Sequence, residues 1–202
     1  LFLSAYNVYA VFLTLGTAGF PVALSRMISS AYTQGRPMQE RRTYRVALCT
    51  FIVMGTLCAS VMLFYPSRLA SLMNNPDTDI CILVLAPSVL LCCLAAAFRG
   101  LTQGHGDMIP TTMSQIIDVL AKVATGLTLA AVLLRSGMET SVAAAGAILG
   151  VTAGAAAALL YMVIIKRKRY RFKAVENPDI PDSSGEIFKN LVRIGVPIAL
   201  GP

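Results

Sequence analysis

The chain has 202 residues, 56% of them hydrophobic and 13% charged, with a mean hydropathy of +0.69. Soluble domains carry roughly 25% charged residues, so this composition excludes a water-soluble globular protein and calls for apolar surface that faces lipid. The formal net charge of +7 raises nucleic acid as a partner, but the placement of the basic residues along the chain assigns the charge to membrane topology instead.

A bilayer core of about 30 Å is crossed by about 20 apolar residues in a helix. Leu1 to Ser25, Val46 to Tyr65, Ile80 to Phe98 and Val142 to Ile165 contain no Asp, Glu, Lys, Arg or His, and Ile109 to Leu134 is equally apolar except for Asp118 and Lys122. None shows the alternation of barrel strands, each about 10 residues long. The pattern predicts an all-α integral membrane protein with five complete transmembrane helices plus the start of a sixth near Ile187. The first residues already lie in a spanning block, without an initiator Met or a signal peptide, so the sequence reads as a fragment.

In the first block, Gly16, Gly19 and Pro21 interrupt the apolar run as in helices that bend, and Asn7 is its one amide. Segment 26–45 then holds Arg26, Arg36, Arg41, Arg42 and Arg45. After the second block, Asn74, Asn75 and Pro76 form a turn cluster followed by Asp77, Thr78 and Asp79. This acidic pair raises an enzyme reading, a membrane glycosyltransferase holding a metal and a sugar diphosphate; it is a short motif with no other carboxylate or His close by in sequence. The third block leads into Arg99, Gly100, Gln103, Gly104, His105 and Gly106, whose glycines suit a tight turn at a cytoplasmic mouth. His105, the one histidine, reads as a solvated loop residue. Pro110 opens the fourth block, where a missing N–H costs nothing.

Asp118 and Lys122 carry the sharpest signal. An ionised group at the centre of a spanning helix costs about 2.5 to 3.5 kcal/mol on insertion scales. The two are four residues apart on one helical face, roughly 12 and 18 Å beyond Pro110 at helical rise. Gln115, Ser114 and Thr111 precede them on the same face. Such a stripe is expected to line a transport cavity with Asn7, while the plain alternative is an ion pair that only permits insertion. Arg26, Arg99 and Gln103 are placed at the cytoplasmic mouth.

The fifth block carries Gly146, Gly150 and Gly154, a ridge that suits close helix packing within the bundle or a dimer face. Lys166 to Lys173, interleaved with Tyr170 and Phe172, reads as a topogenic anchor, with binding of anionic lipid headgroups or a pyrophosphate at the inner leaflet as the alternative; residues 166–186 read as a cytoplasmic linker, and Ser183 with Glu186 as a capping box opening the next helix. In all, 14 of the 17 basic residues fall on alternate connections of one side, which places Leu1 outside the cytoplasm. The five cysteines, Cys49, Cys58, Cys81, Cys92 and Cys93, lie in apolar runs without metal-ligand spacing. The sequence calls for no catalytic residue, metal or cofactor.

Phe98, Arg99, Gly100, Gln103, Gly104, Met108, Pro110 and Thr111 resemble the F-R-G-x-x-Q-G-x-x-x-M-x-P-T signature of the oligosaccharide flippase family near stage V sporulation protein B. Gln115 to Asp118 with Lys122, and Gly19 with Pro21 to Ser25, are similar to two further segments of that family, and Gly195 to Ile198 to the start of its second half. The family sits in the multidrug/oligosaccharidyl-lipid/polysaccharide exporter superfamily. The resemblance covers effectively the whole chain and implies two six-helix lobes around a central cavity. Residues 1–165 would be the N-terminal lobe without its first helix, and 187–202 the start of the C-terminal lobe. It further implies transport of an undecaprenyl-linked sugar or peptidoglycan precursor across the bacterial plasma membrane by alternating access. The partners so implied are a lipid-linked saccharide, membrane lipids and the remainder of the same polypeptide. A cation-coupled multidrug extruder is the alternative within the superfamily. The lipid II flippase branch carries Arg inside the helix matching the first block, where Val11 to Leu15 here reads Val-Phe-Leu-Thr-Leu.

Overall fold

The computed structural model describes residues 2–17, 19–72, 79–135, 140–170 and 179–200. Among them the regular elements are all helices: α1 (Phe2–Thr17), α2 (Phe20–Thr33), α3 (Pro37–Phe64), α4 (Pro66–Leu72), α5 (Asp79–Gly104), α6 (Ile109–Arg135), α7 (Thr140–Arg169) and α8 (Ser184–Leu200). Four of them, α3, α5, α6 and α7, are long and apolar enough to cross a membrane.

The first apolar block, expected as one helix, is two. Gly19 takes φ of 72°, a left-handed conformation open to glycine at little cost, and Pro21 in the first turn of α2 has no N–H to continue the ladder of α1. The 16 residues of α1 rise about 24 Å, and the block continues beyond the break as α2. The short α4 has no counterpart in the expected elements.

The spanning helices also outrun their apolar blocks. Arg41, Arg42 and Arg45 belong to α3, Arg99 to α5 and Lys166 to Arg169 to α7, so segments 26–45 and 99–108 are mostly helix rather than loop. Apolar composition marks the part of a helix inside hydrocarbon, whereas the backbone ladder continues through the headgroup layer. The α5–α6 connection shrinks to residues 105–108, turned by Gly106 at φ 78°. Gly100 and Gly104, expected to serve that turn, are helical. They lie against α2, where a Cβ would come within 2.9 Å of Leu24 and 2.6 Å of Ile28.

α5 is the centre of the bundle and packs against α1, α2, α3 and α7. Its Ile82, Leu85, Val89 and Leu101 are fully buried with Leu24 and Ile28 of α2 and Phe51 and Met62 of α3. α6 leans chiefly on α7 and leaves Ile116, Val119, Leu120, Val123 and Leu127 exposed. The glycine ridge joins those two helices, in keeping with packing inside the bundle. A Cβ on Gly150 would lie 2.7 Å from backbone atoms of Gly126 and Lys122, and one on Gly154 2.6 Å from the Asp118 carbonyl.

At the arginine-rich end, residues 179–182 are clasped to the start of α3. The Asp179 carboxylate accepts from the N–H groups of Met38 (2.8 Å) and Gln39 (3.0 Å), two of the unsatisfied donors of a helix N-terminus. Arg36 pairs with Asp179 and Asp182, each at 3.7 Å. The Gln39 amide donates to Asp182 at 2.8 Å and accepts from its N–H at 2.7 Å. α8 then opens with the expected capping box: the Ser183 hydroxyl accepts from the Glu186 N–H, and the Glu186 carboxylate accepts from the Ser183 N–H.

His105 is not the solvated loop residue the sequence suggests. Its Nε2 lies 3.0 Å from Glu40, its Nδ1 2.9 Å from the Leu101 carbonyl oxygen, and Tyr32 and Tyr170 flank the ring at 5.0 Å. Burial pulls the imidazole pKa down, but the Glu40 hydrogen bond, the Leu101 carbonyl and the Glu40 charge together carry it above its ordinary value. A raised folded-state pKa gives stability that is fully present below the unfolded value and is lost as pH rises through the folded one. The full-length protein is therefore expected to gain about 1.5 to 3 kcal/mol over His105→Gln at pH below the ordinary imidazole value, a gain that fades as pH rises above it. Thermal unfolding in detergent on both sides of that value checks it, and in Glu40→Gln the pH dependence should flatten.

Candidate functional site

A cavity of about 360 Å³ opens between α1, α2, α5, α6 and α7, at the small end of the roughly 300–1,000 Å³ of small-molecule pockets. Its charged and amide residues come from two helices that meet at the short 105–108 turn. α5 supplies Arg99 and Gln103, one turn apart, and α6 supplies Thr111, Gln115, Asp118 and Lys122 at helical spacing. Ala155 and Ala158 of α7 form an apolar wall.

Lys122 Nζ lies 3.4 Å from Asp118 Oδ2, with side-chain exposures of 30% and 20%. The other carboxylate oxygen, Oδ1, is buried without a hydrogen-bond partner and points to the glycine ridge, where a Cβ on Gly154 would sit 2.7 Å from it. Gly154 thus makes room for Asp118. Arg99 is held by its Nε, which donates to the Ser114 hydroxyl at 3.0 Å. That hydroxyl in turn donates to the Thr111 carbonyl at 2.7 Å, and Thr102 and Thr111 share a hydrogen bond at 3.1 Å. Among the described residues no carboxylate pairs with Arg99. The cavity therefore carries two cations, Arg99 and Lys122, against one carboxylate.

The structure brings most of the sequence candidates together, though not all. Thr111, Gln115, Asp118, Lys122, Arg99 and Gln103 line one cavity, and Ser114 lies buried behind Arg99. Asn7 is exposed and off the lining. Tyr6, Tyr9, Leu13 and Thr17 present the α1 face instead, and their 3-4-4 spacing marks one side of a helix that Asn7 does not share. Tyr9 is 2% exposed, with its hydroxyl 3.4 Å from Cys92 Sγ. Arg26 lines a separate groove of about 340 Å³ between α2, α3 and α8, with Ser30, Gln34 and Asn190. Asp77 lies outside the described residues, and Asp79 starts α5 with its carboxylate accepting from the Ile80 N–H.

Long apolar helices around a charged internal cavity define a multi-pass integral membrane protein. The chain belongs to the polysaccharide biosynthesis protein family, whose model matches residues 1–201. Among its relatives is stage V sporulation protein B of Bacillus subtilis (strain 168), 24% identical over 98% of this chain and 38% of that protein. The lipid II flippase MurJ of the same organism is 27% identical over 61% of this chain and 24% of its own length. An uncharacterized membrane protein, YabM, also of that organism, is 25% identical over 96% of this chain and 36% of its length. The chain thus spans between about a quarter and two-fifths of these curated relatives. No solved structure matches it.

Proposed function

We propose that the chain forms part of the first lobe of a two-lobe transporter that flips an undecaprenyl-linked sugar or peptidoglycan precursor across the bacterial plasma membrane. The saccharide headgroup crosses through the cavity while the polyprenyl tail stays in lipid, and alternating access of two lobes moves it. Arg99 and Gln103 stand at the cytoplasmic mouth, with Asp118 and Lys122 deeper in, and the first residue is extracytoplasmic, in line with the one-sided distribution of Lys and Arg. The chain does no covalent chemistry in this reading.

The observation that carries it is the charge of the cavity. With Asp118 already paired to Lys122 and Arg99 left without a carboxylate, the lining favours a phosphate-bearing headgroup over the organic cation of a drug extruder. A planar guanidinium anchored through one nitrogen still offers its remaining N–H groups to phosphate oxygens.

Substrate protection tests it. In full-length protein whose native cysteines, Cys92 of the same lining included, are replaced by Ser and which carries Gln115→Cys, a hydrophilic thiol reagent should react, and a lipid-linked diphosphate disaccharide should slow that reaction by about tenfold, equivalent to about 1.4 kcal/mol. Protection by a lipophilic cation and none by the disaccharide would assign the cavity to the extruder class.

A further inference from the structure

A second groove, of about 820 Å³, runs between α3 and α8 and shares no lining residue with the cavity above. We propose that it is a binding site for one anionic glycerophospholipid, with the headgroup phosphate at Arg41, Arg42 and Arg45 and an acyl chain along Cys49, Val53 and Phe188. The groove changes character along its length. Its arginine end comes first in α3, and Val46, Cys49, Thr50, Val53 and Met54 continue the same face. From Arg42 to Met54 the helix rises about 18 Å, a charged head followed by an apolar trough of acyl-chain length.

Charge complementarity selects the occupant. Among the described residues none of the three guanidiniums has a carboxylate within ion-pair distance. The one polar contact there is Arg42 to the Ser184 hydroxyl, at 3.4 Å from Nε and 3.3 Å from Nη2. Three cations within two turns repel one another unless an anion sits among them, and basic pockets between membrane helices at the headgroup layer bind anionic lipid. An apolar helix in the same place would cover the trough and leave the arginines facing hydrocarbon. The groove has two fixed walls, because the clasp of Arg36 and Gln39 on Asp179 and Asp182 holds the start of α8 beside α3. Val53 is 60% exposed and Phe188 48%, so the trough is open along its side.

The test uses full-length protein in phosphatidylcholine nanodiscs containing a phosphatidylglycerol with a photoactivatable acyl chain, and cross-linked residues are mapped by peptide mass spectrometry. Cross-links are expected at Cys49 to Met54 and at Phe188. Labelling there should fall by at least about tenfold in the double variant Arg41→Gln/Arg45→Gln. It should hold in Arg167→Gln/Lys168→Gln, which removes the same charge elsewhere. Val53→Trp, which fills the trough and keeps the arginines, should lose the label as well, so the result does not hang on one variant's folding. Equal labelling by a photoactivatable phosphatidylcholine would reduce the site to ordinary annular lipid and overturn the proposal. So would loss of label in the Arg167/Lys168 control, displacement of the label by lipid-linked saccharide, or absence of groove cross-links because another helix of the polypeptide covers it.

Discussion

Asp118→Asn and Lys122→Gln, made singly in the full-length protein, are each expected to lower transport by at least about tenfold, or about 1.4 kcal/mol, and to lower membrane abundance as well. Each change leaves the partner charge stranded on a spanning helix, and breaking a buried ion pair from one side costs about 3 to 5 kcal/mol. The 3.4 Å pair is one-fifth to one-third exposed to the cavity, which places the expected cost at the lower end. Because folding and transport both suffer, the discriminating result comes from the double variant. Asn beside Gln restores neutrality and should restore abundance. Transport should stay low, since Lys122 no longer presents a cation to a phosphate and Asp118 no longer holds it in position. Quantitative immunoblotting beside complementation of a null strain checks both readouts, and full complementation by the double variant would reduce the pair to a device for inserting α6.

The second large effect is expected from the glycine ridge. A Cβ on Gly150 meets the Cα and N of Gly126 and the Lys122 carbonyl at 2.7 Å, and none of these backbone atoms has a rotamer in which to retreat. α6 and α7 must separate, with a cost of about 1 to 3 kcal/mol for Gly150→Ala and more for Gly150→Leu. Gly154→Ala adds a methyl 2.7 Å from Asp118 Oδ1 and should also disturb the ion pair. Gly185→Ala, where nothing lies within 4 Å, is the neutral comparison. Thermal unfolding followed by size-exclusion chromatography should rank Gly185→Ala near wild type, Gly150→Ala and Gly154→Ala lower, and Gly150→Leu unfolded. A Gly150→Leu protein as stable as wild type would mean that the ridge does not hold α7 to α6.

Much of this arrangement is written in local sequence pattern. Apolar blocks mark the membrane portions of α3, α5, α6 and α7, Gly19 and Pro21 mark the break between α1 and α2, Ser183 and Glu186 the start of α8, and the four-residue spacing of Asp118 and Lys122 their pairing. What escaped is what depends on distant chain segments. Glu40 finds His105 through the packing of α3 and α5, and Asp179 finds Arg36 and the N–H groups at 38 and 39 through the packing of α8 on α2 and α3, which no window of neighbouring residues encodes. The same holds for Arg26, adjacent in sequence to the motif residues of α2 yet turned to a different groove from Arg99. Tyr6 and Tyr9 were within reach, because their spacing with Leu13 and Thr17 traces one helix face. A lone amide such as Asn7 stands out in an apolar run more than two tyrosines do.

The most direct measurement is headgroup selectivity in a purified system. Full-length protein in liposomes is given a fluorescent lipid-linked diphosphate saccharide in one leaflet and, separately, a lipophilic cationic dye, and loss from the starting leaflet is followed for wild type and Arg99→Gln. The cavity's excess of cations predicts that the diphosphate crosses, the dye does not, and Arg99→Gln slows the diphosphate by at least about tenfold, or about 1.4 kcal/mol. Movement of the dye with no movement of the diphosphate, or an Arg99→Gln protein as fast as wild type, would contradict it.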